Sequence, residues 1–219
     1  MRRLWAAAVT SGIILTLGAA AFIAADILTK PAIIANPTPV VQVDPYSGIL
    51  EVIVDDGTGT CFVVAQRGDW FYAITAAHVI ESYGMPSEDV TVDDERYETE
   101  IVRVNSEDDV AMIRFKSPET YWIYSFASAR IGESCVTFGW SDGSKLLYRG
   151  NVVSPDLNGF VATNTGVVPG LSGGPVLDSA NRVIGVTVQV SVYRGWAFDS
   201  TVLHVPARFA AAMVVTIGE

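Results

Sequence analysis

From Ile49 onward apolar and β-branched residues come in short runs broken by Gly, Asp, Asn and Pro. Runs of that length and composition, bounded by turn residues, read as strands. Strands are predicted over residues 50–54, 61–65, 71–75, 90–92, 98–104, 111–115, 136–139, 146–153, 160–163, 175–177, 183–192 and 197–204. Two short helices interrupt the pattern, one expected over residues 76–82 and one over the alanine-rich 207–214, where Pro206 stands at the start. There is no repeat, no low-complexity tract and no alternation of strands with long helices. So many short strands with turn signals between them indicate an all-β sandwich or barrel.

The N-terminal pattern is different. Residues 4–25 contain no charged side chain, while Arg2 and Arg3 precede them and Asp26 follows. A helix needs about 17–25 residues to span a bilayer, and arginines ahead of it favour a cytoplasmic N-terminus with the rest outside. A cleaved signal peptide has the same charge layout, with Ala19-Ala20-Ala21 or Ala24-Ala25 as small-residue sites. Pro31, Pro37, Pro39 and Pro45 read as an extended tether. The expected organisation is a signal anchor or signal peptide over 1–28, a proline-containing linker over 29–46 and one domain over 47–219. The location expected is extracytoplasmic, either membrane-anchored or secreted.

Charge narrows the partners. Setting aside Arg2, Arg3, Asp26 and Lys30 takes 14 basic against 24 acidic side chains to 11 against 23, a net charge of about −12. So anionic a surface argues against nucleic acid and against docking on anionic lipid headgroups. Protein or peptide partners remain, with the membrane reached only through residues 4–25. The two cysteines, Cys61 and Cys135, are not in a C-x-x-C arrangement and the two histidines are far apart, so no metal site is expected and no cofactor is implied. A Cys61–Cys135 disulfide and two separate buried thiols both fit the sequence.

Candidate chemistry sits in Gly170-Leu171-Ser172-Gly173-Gly174-Pro175 and, upstream, Thr75-Ala76-Ala77-His78. Serine is a weak nucleophile unless a base takes its proton and donors stabilise the oxyanion that forms. Glycines allow the sharp turn that exposes such a serine. Histidine is the base suited to neutral pH, and a carboxylate is needed to hold its tautomer. Asp109 is the candidate, because Asp109, Ala111 and Ile113 share one strand face with small and apolar neighbours; Asp108 adjoins it.

The order His78, Asp109, Ser172 resembles that of trypsin/chymotrypsin-like serine proteases, closest to the high-temperature-requirement (HtrA) branch. Gly59-Thr60-Cys61-Phe62-Val63-Val64 resembles the glycine-rich strand ahead of the histidine, and Ile74-Thr75-Ala76-Ala77-His78-Val79-Ile80 the histidine block. Residues 97–115 resemble the strand and turn that carry the aspartate. Residues 168–177, followed by Arg182-Val183-Ile184-Gly185-Val186, resemble the serine block and its next strand. The resemblance implies two six-stranded antiparallel β-barrels with a short C-terminal helix, here preceded by the N-terminal hydrophobic helix, and leaves no room for a PDZ domain. It implies a serine endopeptidase that works through a covalent acyl-enzyme. The oxyanion hole would be the backbone N–H groups of Gly170 and Ser172. Substrate would pair along Thr187, Val188 and Gln189, with the floor of the primary specificity pocket near Gly166. No acid lies there, so cleavage after Arg or Lys is not expected and small or medium apolar residues fit better.

Two positions depart from the family pattern. Leu171 stands where trypsin has the aspartate that binds a new N-terminus, and Cys61 stands where the HtrA pattern has glycine. The disulfide that trypsin relatives make from the Cys135 strand has no partner, since the matching position falls near Asp178. Two other readings compete. One is a protease-like binding module with little or no activity. The other is an α/β-hydrolase esterase, because Gly170-Leu171-Ser172-Gly173-Gly174 also satisfies Gly-x-Ser-x-Gly with Asp199 and His204 downstream; that elbow requires a helix directly after the serine.

Overall fold

A computed structural model describes residues 43–54, 57–82, 85–86, 90–93, 97, 99–190, 201–215 and 217. The uncharged run 4–25 and most of the linker lie outside them, as does Asp199. No helix among the described residues is long and apolar enough to cross a membrane.

Residues 43–219 form one compact unit built from two sheets. The first contains β1 (Ile49–Val54), β2 (Gly57–Arg67), β3 (Trp70–Thr75), β6 (Thr91–Val92), β7 (Thr99–Asn105) and β8 (Val110–Lys116) in the order β6-β1-β2-β3-β8-β7. The second is a closed barrel of β9 (Ser134–Ser141), β10 (Ser144–Leu157), β11 (Phe160–Thr163), β12 (Pro175–Asp178), β13 (Val183–Val190) and β14 (Val202–Pro206), ordered β10-β11-β14-β13-β12-β9. All named strand pairs in both sheets are antiparallel. The all-β architecture with two barrel-like six-stranded sheets is the one the sequence pattern and the resemblance imply, and α2 (Ala207–Val215) closes the chain.

Local chemistry sets the hairpins. Asp142-Gly143 joins β9 to β10 and Asn158-Gly159 joins β10 to β11, all four residues at positive φ. Two residues at positive φ make the turn whose twist matches that of the flanking strands. This lets β10 run from Ser144 to Leu157, well beyond the expected 146–153. The helix expected over 76–82 is a single turn, α1 (Ala77–Ile80); Glu81 returns to extended backbone at φ −109°, ψ 118° and starts β4 (Glu81–Ser82), which pairs with β5 (Met85–Pro86).

The first sheet encloses an apolar core. Phe62, Ile74, Ile113 and Phe115 are fully buried, and Phe71 stacks on Phe115 with ring centroids 5.9 Å apart. The second barrel is divided. Cys135, Val152, Val161, Val176 and Ile184 form its apolar cluster, but Thr137, Thr163, Thr165, Thr187 and His204 are also buried. Cys61 and Cys135 are buried free thiols, and burial pushes the Cys135 thiol up to about 12. Cys135 lies directly opposite Asp178 across β9 and β12, where the family's bridging partner would stand.

Candidate active site

His78 sits in the single turn α1, at the exit of β3, with its ring exposed while Ala77, Val79 and Ile80 are buried. Asp109 lies in the turn from β7 to β8 at φ +51°, a left-handed conformation that aspartate tolerates better than most residues. There its carboxylate grips His78 twice. Oδ1 accepts the His78 backbone N–H at 2.9 Å, and Oδ2 lies 2.7 Å from Nδ1. An ionised carboxylate only accepts, so Nδ1 carries the proton and Nε2 is left with a free lone pair. Asp108 bonds to Asn105 instead. Asn105 Nδ2 donates to its Oδ2 at 2.7 Å, while the Asp108 N–H donates to Asn105 Oδ1 at 3.2 Å. This pairing closes the turn that presents Asp109. Ser106 Oγ, donating to Glu81 Oε1 at 2.8 Å, ties the same turn to the chain just beyond α1.

Ser172 lies in the connection from β11 to β12, half-buried between buried neighbours. A strand, β12, follows it, so the helix that an α/β-hydrolase elbow requires is absent here. Thr60 of β2 fixes this connection. Its N–H donates to the Ser172 carbonyl at 2.8 Å and its Oγ1 to the Gly170 carbonyl at 2.8 Å, while the same Oγ1 accepts the Trp140 N–H at 2.9 Å. The Thr60 carbonyl in turn accepts Thr75 Oγ1 at 2.8 Å, at the end of the strand that leads into His78. On the other side Gly173 N–H donates to the Thr187 carbonyl at 2.7 Å, and Thr187 N–H to the Gly174 carbonyl at 2.8 Å. Leu171, where trypsin has its aspartate, is buried beside Gly139, so an apolar anchor replaces an ionic one.

Close packing brings the serine loop against the histidine turn. A Cβ built on Gly173 (φ +84°) would lie 2.2 Å from the Thr60 carbonyl oxygen and 2.8 Å from the Ala76 nitrogen. One on Gly59 would meet Val79 Cγ1 at 2.5 Å and the Ser172 carbonyl oxygen at 3.2 Å. Only glycine fits either place. Among the described residues no hydrogen bond joins Ser172 Oγ to His78 Nε2, and such bonds commonly tighten only when substrate is bound. The N–H of Leu171 turns to the Val168 carbonyl at 3.2 Å, whereas those of Gly170 and Ser172 meet no acceptor among the described residues.

The segment that carries these two loops resembles known proteins. A profile described as Trypsin-like peptidase domain matches residues 59–186, which hold His78, Asp109 and Ser172. The chain belongs to the trypsin-like peptidase domain family. Its curated relatives include proteins named "Probable periplasmic serine endoprotease DegP-like" from Chlamydia pneumoniae and Chlamydia trachomatis serovar D, each 28% identical over 145 residues. That match covers 60% of this chain and 28% of each relative. The likeness agrees with the HtrA branch of the trypsin-like superfamily.

Of the other positions singled out in the sequence, Gly166 packs against the Tyr148 ring, where an added Cβ would come within 2.3 Å of it. Thr187 and Val188 are buried on β13; the side chain of Gln189 lies outside the described set. Among the described residues no group of three or more metal-ligating side chains is gathered. Sequence reasoning passed over Thr60; the glycine before it, which lets Ser172 approach, was the available signal.

Gly173→Ala would put a methyl group into the Thr60 carbonyl and force an unfavourable φ. Its expected effect is loss of hydrolysis by about 100-fold or more with the fold retained, since a misplaced nucleophile costs that much. Peptide hydrolysis alongside circular dichroism measures it, and wild-type rates would refute the packing described.

Proposed function

We propose that this domain is a serine endopeptidase in which Ser172, His78 and Asp109 act as one unit. The observation that carries the reading is the double grip of Asp109 on His78, which leaves Nε2 free to act as a base. The Ser172 hydroxyl attacks the scissile carbonyl, forming a C–O bond as its proton passes to His78 Nε2. The Gly170 and Ser172 N–H groups stabilise the oxyanion. The intermediate collapses with cleavage of the C–N bond, and His78 returns the proton to the leaving amine. Water, deprotonated by His78, then hydrolyses the acyl ester and restores Ser172. The substrate backbone pairs by strand addition along Val188 and Gln189 and not along Thr187, whose N–H and carbonyl are taken by Gly174 and Gly173.

The domain is proposed to work outside the cytoplasm. The arginine-led uncharged run 4–25 supports this, as does the word periplasmic in the names of the relatives. An anchor or a cleaved signal peptide would each deliver it there.

Ser172→Ala is expected to lower kcat by about 10⁴-fold or more, and Asp109→Asn by about 10⁴-fold, with little change for Asp108→Asn. Casein and peptide hydrolysis by the purified proteins checks the order. Full activity in Ser172→Ala would overturn the proposal, and a larger loss in Asp108→Asn would reassign the acid.

External protease added to intact cells is expected to reach the domain once any outer envelope is permeabilised. Protection that persists until the cytoplasmic membrane is broken would refute the extracytoplasmic location.

A further inference from the structure

The interior of the closed barrel carries a chain of polar groups that the catalytic cycle leaves unused. Thr137 Oγ1 lies 2.7 Å from Thr165 Oγ1, which lies 2.7 Å from Thr163 Oγ1, which lies 2.9 Å from His204 Nε2. Each of these residues is at most 2% exposed. The chain ends on unpaired atoms: among the described residues His204 Nδ1 and Thr187 Oγ1 are buried without a partner. His204 and Thr187 stand directly opposite each other in β14 and β13, so their side chains emerge side by side on one face. Buried donors and acceptors are normally satisfied, and two adjacent exceptions require an explanation.

Their position supplies one. The Thr187 backbone is bonded on both sides to Gly173 and Gly174, directly after Ser172. Thr165 precedes Gly166, the proposed pocket floor, and Gly166 rests on Tyr148, which pairs with Thr137 across β9 and β10. The polar chain thus adjoins Gly166 through Thr165, and Thr187 adjoins the residues that follow Ser172.

We propose that His204 and Thr187 form the base of the primary specificity pocket and select a substrate residue before the scissile bond whose side chain ends in a carbonyl oxygen, with the carboxamide preferred to the carboxylate. This deepens the endopeptidase reading and rests on it. With Thr163 donating to Nε2, His204 offers Nδ1–H to the side-chain carbonyl oxygen, and the Thr187 hydroxyl accepts from the amide nitrogen. Burial holds the imidazole near a pKa of about 3, so it is neutral and suited to an uncharged amide. A carboxylate offers the same oxygen but brings a charge into a buried site that has no cation among these groups. An apolar residue, expected above because no acid lies near Gly166, would leave both atoms unpaired. A basic residue finds no carboxylate in the chain of hydroxyls.

The test is hydrolysis of a peptide library varied only at the residue before the scissile bond, using wild type, Thr187→Val and His204→Leu. Wild type is expected to favour Gln or Asn, with Glu or Asp next, over Val, Ala, Leu and Lys by at least ~10-fold in kcat/KM, because a site built for hydrogen bonds rejects residues that cannot make them. Thr187→Val keeps the side-chain shape, and in it this ratio should fall by ~10-fold or more; His204→Leu should invert it. Wild type that cleaves but prefers apolar or basic residues, or variants that lose stability with the preference unchanged, would overturn the pocket while leaving the protease. Wild type that cleaves nothing in the library or in casein would remove both.

Discussion

One buried threonine holds the candidate site together. Thr60 projects from the first sheet, and its hydroxyl both donates to Gly170 and accepts from Trp140, while its N–H reaches Ser172 and its carbonyl receives Thr75. Every hydrogen-bonding group of the residue is therefore used in fixing the distance between the serine loop of one barrel and the strand that ends in the histidine of the other. Each bond alone contributes about 1 kcal/mol. Their greater effect is geometric, because a nucleophile displaced by about 1 Å loses about 100-fold in rate. Gly59 and Gly173 complete the constraint by having no Cβ where the two loops meet.

The division of labour follows from that seam. The first sheet supplies the proposed base and orienting acid from two turns, α1 and the β7–β8 connection, which are locked by Asp109, Asn105 and Ser106. The closed barrel supplies the proposed nucleophile, oxyanion donors and pocket. Its interior holds both an apolar cluster and a run of buried hydroxyls. Among the buried hydroxyl residues is Thr187, whose backbone is bonded to the two glycines that follow Ser172.

Much of this was legible before the structure. The short apolar and β-branched runs mark the strands, which are buried over successive residues in β2, β8 and β12, and the histidine and serine blocks stand out because glycine and small residues recur where backbones must approach. Strand parity favoured Asp109 over Asp108, but Asp109 lies in the turn ahead of β8 at φ +51°, and that turn sets Asp109 against His78 and Asp108 against Asn105. Other features needed long-range register. Thr60, Thr163 and Thr187 read locally as β-branched strand formers, and nothing in their neighbours reveals a partner 110 residues away, as for Thr60 and Gly170. His204 likewise shows its buried polar surroundings only once β11, β13 and β14 are laid side by side. The expected helix over 76–82 was too long because the pairing of Glu81 with Pro86 takes the chain back to extended backbone.

The central claim is that Ser172 is activated by His78 as oriented by Asp109. Treatment with diisopropyl fluorophosphate, which reacts with activated serines, followed by mass spectrometry of the digested protein locates the modified residue directly. The account predicts a single adduct on Ser172 in the wild type, with the rate of modification falling by about 10³-fold or more in His78→Ala and in Asp109→Asn. An adduct on a different residue, or modification of Ser172 at the wild-type rate in His78→Ala, would contradict it.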